Sequence, residues 1–398
     1  MRVRLSPRAR GEALAVAACA WVIAGAAAGG ASVYAQTPPD LAQAITALGD
    51  FSYQVRAEAS RVVRRTDAGI VVPALLEAAR THPDSYVQFR AAVILSGYPD
   101  PRVDAYFRES LESLNDRVRA VAYEAAAYRP DPSLARRLLG ALEQEASEFV
   151  RPQLIRALAA HSADPAVRGQ LTADINRGES AFRSAVIEAL GDQRAAWAVD
   201  QLLPLASEEG PLRDDALLAL GKIGDDRALR ALAGTAVDPD DPDQPIVSAT
   251  TCLLGVDCRS QVDYVVGTLK YGASGAGGDP ELLRAASSAA AALAMAGHAE
   301  ALGGLLDAGV GAADPGRAPI ALALGAVALR TPERALEAIV ARGDLEDVLL
   351  LLRDAFDMLD EDLAEERFYV LMRDLYWADG QSGQVRAAVE RAMEVLEF

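Results

Sequence analysis

One short phrase recurs along the chain and limits what it can fold into. An arginine opens an apolar stretch at Arg56, Arg90, Arg119, Arg151, Arg183, Arg213, Arg284 and Arg317, and Val247 stands in that place between the sixth and seventh. Successive anchors lie about 29 to 37 residues apart, the spacing of a repeat array rather than of one compact core. Each anchored stretch is apolar at helical spacing. In "LRDDALLALGKIG", Leu212, Ala216, Leu217, Leu220 and Ile223 share a broad face.

A second helix precedes each anchored one, as in "VVPALLEAAR" and "AVDQLLPLAS". The punctuation between units is consistent. At Asp100-Pro101, Asp131-Pro132, Asp164-Pro165 and Thr331-Pro332 the first side chain is placed to accept from an orphan amide, while proline gives up an amide that lacks a partner. At Gly224-Asp225 glycine supplies a left-handed exit and aspartate caps the next helix. Helices of ten to thirteen residues are marginal alone, so each antiparallel pair must stack on its neighbours. The expected fold is all-α: an α-solenoid, or superhelix, of about nine antiparallel helix pairs, forming a rod with two ends. Aromatics at 6 % and abundant alanine agree with close helix packing.

The anchored helices, "ALGKIGDDRALRALA" above all, resemble HEAT repeats, particularly the short version also found in phycobilisome-lyase-like proteins; the resemblance covers residues 40 to 335. It implies an arginine ladder, each anchor bonding across its turn to an aspartate. Asp116 and Asp314 stand three residues before their anchors and match this pattern, Glu148 is a substitute, and Ser180 and Gly210 depart from it. The domain reading is residues 1–35 as a cleaved signal peptide, 36–335 as the solenoid and 336–398 as a helical cap. In that cap "LEDVLLLLRDAFDMLDEDL" reads as one long helix. Leu375, Tyr376, Gly380 and Ala392 resemble half of a tetratricopeptide unit, from which Val385 departs.

The leader reading rests on Arg2, Arg4, Arg8 and Arg10, an apolar run from Ala13 to Ala28, and Val33-Tyr34-Ala35 as the cleavage site. The competing readings are an uncleaved anchor, for which the run is short and alanine-rich, and lipid attachment at Cys19. The expected location is periplasmic or extracellular. There Cys252 and Cys258, six positions apart, can pair; alternatively Cys252 is a core residue and Cys258 a loop thiol. The net charge is −18, and the leader contributes +3 of it, leaving −21 on the body. A body that acidic repels nucleic acid and anionic lipid, so neither is expected as a partner.

No residue pattern announces chemistry. His82, His161 and His298 lie near helix ends, and no two share ligand spacing. Turns widen at 237–245, 271–279 and 307–316, and equivalent turns of successive units share a rim. Asp238, Asp240, Asp241 and Asp243 could offer oxygens to a metal, but without EF-hand spacing, and a solvated loop is the expectation. The aromatic-rich third from Phe51 to Tyr128 is a second candidate surface, with Tyr98 and Tyr128 ending equivalent helices on one face, while most of its aromatics are expected to fill the core where alanines leave room. The functional expectation is a non-catalytic, exported protein-binding adaptor without a cofactor. A lyase-like protein handling a chromophore or small ligand is one alternative, and a structural spacer in an envelope assembly is the other.

Overall fold

The computed structural model describes residues 39–232, 241–275, 279–359 and 361–398; the leader region 1–35 lies outside the described residues. All the packing below belongs to one compact unit, Thr37–Phe398. Among the described residues it contains twenty-two α-helices and no strand.

The first eighteen helices form nine pairs, one per anchor. They are α1 (Pro39–Ala47) with α2 (Tyr53–Arg65), α3 (Ala68–Thr81) with α4 (Ser85–Leu95), and α5 (Pro101–Ser110) with α6 (Asp116–Tyr128). Next come α7 (Ala135–Gln144) with α8 (Arg151–Ala160), α9 (Pro165–Asp174) with α10 (Ser180–Asp192), and α11 (Val199–Ser207) with α12 (Arg213–Ile223). The last three are α13 (Ala228–Leu232) with α14 (Gln244–Leu253), α15 (Cys258–Ala273) with α16 (Pro280–Ala296), and α17 (Ala299–Gly311) with α18 (Arg317–Arg330). The fold is an all-α solenoid.

Local chemistry sets these boundaries. The carboxylates of Asp100, Asp131 and Asp164 accept from the amides of Arg102, Ser133 and Ala166 at 2.8, 3.0 and 2.7 Å. Thr331 differs from the expectation: its hydroxyl bonds backwards to the Val327 carbonyl, so it closes α18 instead of capping the next helix. Gly224 exits α12 at φ 78°, and Asp225 accepts from the Arg227 amide at 2.9 Å.

The second helices of the pairs pack directly on one another, α4 on α6 and so on to α18. Glycine recurs where they meet. A Cβ at Gly191 of α10 would stand 2.8 Å from the Ala219 Cα of α12, and one at Gly221 would stand 3.3 Å from the Thr250 Cα of α14. Small residues thus let the inner row close to backbone contact, and Leu154, Leu190, Leu217 and Leu293 fill the space between rows with no exposure. Each such burial contributes about 1.5–3 kcal/mol.

The C-terminal region is where expectation and structure part. Instead of one long helix there are α20 (Leu345–Leu359) and α21 (Asp362–Trp377), preceded by α19 (Pro332–Val340) and followed by α22 (Gly383–Val395). α20 continues the inner row by packing on α18, but α21 also packs against α4 and α6. The array therefore does not end as an open rod: its last hairpin, α21 with α22, lies on its own early pairs. Gly380 turns that hairpin at φ 81°, with Leu375 and Tyr376 half-buried and Ala392 buried.

Candidate functional site

The anchor arginines organise the turns of the pairs, although not by the expected bonds. Arg56, Arg119, Arg151, Arg183 and Arg317 donate to backbone carbonyls of the turn before them: Asp50 at 2.7 Å, Ser113 at 2.7 Å, Glu145 at 3.0 Å, Ile175 at 2.8 Å and Gly309 at 3.0 Å. Three anchors also pair forward with an acid of the next pair: Arg119 with Glu145, Arg213 with Asp243, and Arg317 with Asp354. Arg90 pairs with Asp362 of α21, and Arg284 pairs with the exposed Glu281. No arginine of the ladder meets Asp116, which instead accepts from the Arg117 amide, and no bond joins Asp314 or Glu148 to its anchor. Each guanidinium reaches six or eight positions back across its turn, and at Glu145, Ile175 and Gly309 it meets a carbonyl at or next to the end of the preceding helix, one that lacks an intrahelical partner.

These bonds also link neighbouring turns into one rim. Asn115 donates to the Ser85 carbonyl at 2.8 Å, Arg119 grips Glu145, and the Arg56 guanidinium lies 6.0 Å from the Tyr86 ring centre. Three large apolar side chains project from that rim. Phe51 and Leu114 are fully exposed and Phe149 is 51 % exposed, one from each of the first, third and fourth pairs.

A cavity of about 780 Å³ opens on the inner row, where the C-terminal ends of α10, α12, α14, α16 and α18 converge. Several charges in and beside it are paired. Lys222 bonds Asp192 at 2.7 Å and Arg330 bonds Glu188 at 3.1 Å. Glu361, at the start of α21, lies between two guanidiniums, 3.1 Å from Arg156 and 4.0 Å from Arg330. The cap thus ties α8 to α18 across the inner face. Burial, then the neighbouring Glu361 carboxylate, pushes Glu124 up to about 7. Burial alone would raise Glu188 too, but Arg330, Lys222 and Arg156 outweigh it and hold that carboxyl below its ordinary range.

Tyr128 is the last residue of α6, whereas Tyr98 lies three residues beyond the end of α4, and both lie near side chains of α21. The Arg367 guanidinium sits 3.6 Å from the centre of the Tyr128 ring. Burial, followed by Glu366 and Tyr369, pushes the Tyr98 phenol up to about 12. Both tyrosines therefore face the chain's own C-terminal hairpin.

Among the widened turns, Asp238 and Asp240 lie outside the described residues. Asp241 accepts from the Asp243 amide and Asp243 pairs with Arg213, so these two carboxylates serve the turn. α15 and α17 run on to Ala273 and Gly311, which shortens the other two loops relative to the sequence reading.

Cys252 and Cys258 are joined as a disulfide across the turn from α14 to α15. His298, placed between α16 and α17, brings its Nε2 to 3.5 Å from the Cys252 sulfur and 3.6 Å from the Cys258 sulfur. Spacing along the chain hid this grouping, because the histidine arrives 40 residues after the second cysteine. His161 has a structural place, with Nδ1 2.7 Å from the Ala157 carbonyl and Nε2 3.0 Å from that of Asp131. His82 accepts from the Asp84 amide at 3.1 Å.

Residues 39–127 match a family model described as HEAT repeats. No curated protein matches the sequence. Solved structures that align with the chain include importin beta, 14 % identical over 90 % of this chain and 52 % of that one, with a TM-score of 0.39. Another is the complex of CpcE and CpcF of phycocyanin lyase from Nostoc sp. PCC7120, 19 % identical over 56 % of this chain and 91 % of that one, with a TM-score of 0.35. An engineered protein aligns at 17 % identity over 90 % of this chain and 99 % of that one, with a TM-score of 0.33.

Proposed function

We propose that this solenoid, whose residues 39–127 match HEAT repeats, is a non-catalytic scaffold that holds another protein in the periplasm or outside the cell. The observation that carries this reading is the rim: Leu114 and Phe149 leave the surface from turns joined by hydrogen bonds, and Phe51 from the turn whose Arg56 lies over the Tyr86 ring of the next pair. Exposed large apolar side chains carried on one rim give a partner apolar surface to cover, and covering it is favourable. The scaffold under them is held by backbone-directed arginines, so the partner docks on a preorganised edge. Export rests on the arginine-led leader sequence of residues 1–35. Among the described residues no helix is long and apolar enough to cross a membrane.

Mild crosslinking of the envelope fraction tests the reading. One protein should be trapped in fixed ratio to the chain, on a mature form beginning at Gln36. A variant with Phe51, Leu114 and Phe149 all changed to serine should lose it without a change in melting temperature. The cavity of about 780 Å³ is large enough for a small organic ligand, which keeps the lyase-like alternative in view. A pigment or metabolite co-purifying with the chain, with no protein trapped, would favour that alternative.

A further inference from the structure

We propose that Cys252, Cys258 and His298 form a redox-gated binding site for a thiophilic divalent cation, with zinc as the reference ion. Their ligand atoms, two sulfurs and one imidazole nitrogen, lie within 4.8 Å of one another. The sulfur–nitrogen distances are those of a shared metal, while the two sulfurs are bonded to each other and must part for a metal to enter. In a tetrahedral centre with zinc–sulfur bonds of ~2.3 Å and zinc–nitrogen bonds of ~2.0 Å, a sulfur and a nitrogen ligand stand roughly 3.5 Å apart. The His298 Nε2 stands 3.5 and 3.6 Å from the two sulfurs.

The backbone is shaped to make this meeting. Cys252 closes α14 and Cys258 opens α15, and between them Gly255 at φ 81° and Asp257 at φ 41° bend the chain back on itself. A non-glycine residue held in the left-handed region costs energy that the surrounding structure must offset. His298 occupies the N-cap position of α17, yet its ring makes no capping bond and turns to the sulfurs instead. All three residues line the inner cavity, so the fourth coordination position faces open space where a water or a guest molecule can enter.

The disulfide is the closed state of this site. A dithiol reductant attacks one sulfur, forms a mixed disulfide and leaves as its own cyclic disulfide. It delivers two electrons and two protons, so both cysteines become thiols. The cation then displaces the two thiol protons. Two thiolates and a neutral imidazole carry the charge that balances a divalent ion. A small-molecule disulfide oxidant reverses the sequence: one thiolate attacks it, the second displaces the mixed disulfide, the oxidant leaves as two thiolates carrying the two electrons, and the metal is released as the sulfurs rejoin.

The test uses the full chain carrying Cys19→Ser, so that the pair supplies the only thiols. It is reduced with a dithiol, desalted, and titrated with Zn²⁺ against a chromophoric chelator, with Co²⁺ as a spectroscopic probe. The expected result is one metal per chain with thiolate-to-cobalt absorption, protection of both thiols from alkylation, and no binding after reoxidation. His298→Gln, on a half-buried side chain, should keep the melting temperature of the oxidised protein and weaken zinc binding at least about tenfold. The absence of stoichiometric binding by the reduced chain would overturn the proposal. So would equal binding by the oxidised chain, or unchanged affinity in His298→Gln.

Discussion

Arg64 of α2 and Glu366 of α21, 302 residues apart in sequence, form an ion pair almost without solvent. Their side chains are 6 % and 2 % exposed, and the guanidinium donates to both carboxylate oxygens. The Arg64 guanidinium also lies over the Tyr369 ring, 4.6 Å from its centre. An ion pair this deep gains little net stability over apolar groups of the same shape, but it penalises any arrangement that separates its partners. Its effect is to fix where the last hairpin docks.

Glu366→Gln or Arg64→Ala should therefore destabilise the protein by roughly 3–5 kcal/mol, since each leaves a buried charge unpaired. The double variant Arg64→Met with Glu366→Leu should recover most of that loss. Urea denaturation of the single and double variants checks both statements.

Glu124 makes stability depend on pH in a definite direction. Its ordinary value is 4.5 and burial raises it to about 7 in the folded chain. Between these values the folded protein holds a proton that the unfolded chain has released, so stability declines as pH rises through the window. Glu124→Gln should match the parent near pH 4 and exceed it by a few kcal/mol near pH 8. Melting curves at the two pH values give the comparison, and a variant weaker at the higher pH would contradict it.

The anchors differ in what they hold. Arg119 makes two 2.9 Å bonds to Glu145, which is 2 % exposed and held below its ordinary value first by that arginine. Arg119→Ala should cost about 2–4 kcal/mol by stranding the carboxylate. Arg284 and its partner Glu281 are 60 % and 64 % exposed, so Arg284→Ala should change stability by less than about 0.5 kcal/mol. Equal effects of the two substitutions in chemical denaturation would contradict this division.

Glycine positions divide in the same way. At Gly191 an added Cβ meets the backbone of α12 at 2.8 Å, whereas at Gly140 in α7 it meets nothing within 4 Å. Gly191→Ala should destabilise by roughly 1–3 kcal/mol through forced separation of the inner row. Gly140→Ala should stabilise by about 0.5–1 kcal/mol through helix propensity alone. Thermal unfolding of the two variants reads both signs.

The paired helices and their ends are legible in the sequence because they depend on near neighbours: the period of Leu and Ala, aspartate before proline, glycine at Gly224. A further local signal lies in the glycines. Gly191, Gly221 and Gly325 each follow their anchors by eight positions, marking where inner helices touch. The closing hairpin is not legible. Glu361, Asp362 and Glu366 look like ordinary surface acids in an acidic helix, and only the folded array brings Arg156, Arg90 and Arg64 to them. His298 is hidden for the same reason, since two separate helix junctions must meet before its ring reaches the cysteines.

The docking of α21 on the early pairs can be tested by a single crosslink. A Cβ at Gly97, just beyond α4, would stand 2.9 Å from the Val370 side chain of α21. With Gly97→Cys and Val370→Cys in the same chain, mild oxidation followed by peptide mapping should show a disulfide joining these two positions within one molecule. Free thiols at both positions, or a bond formed only between separate molecules, would contradict the account.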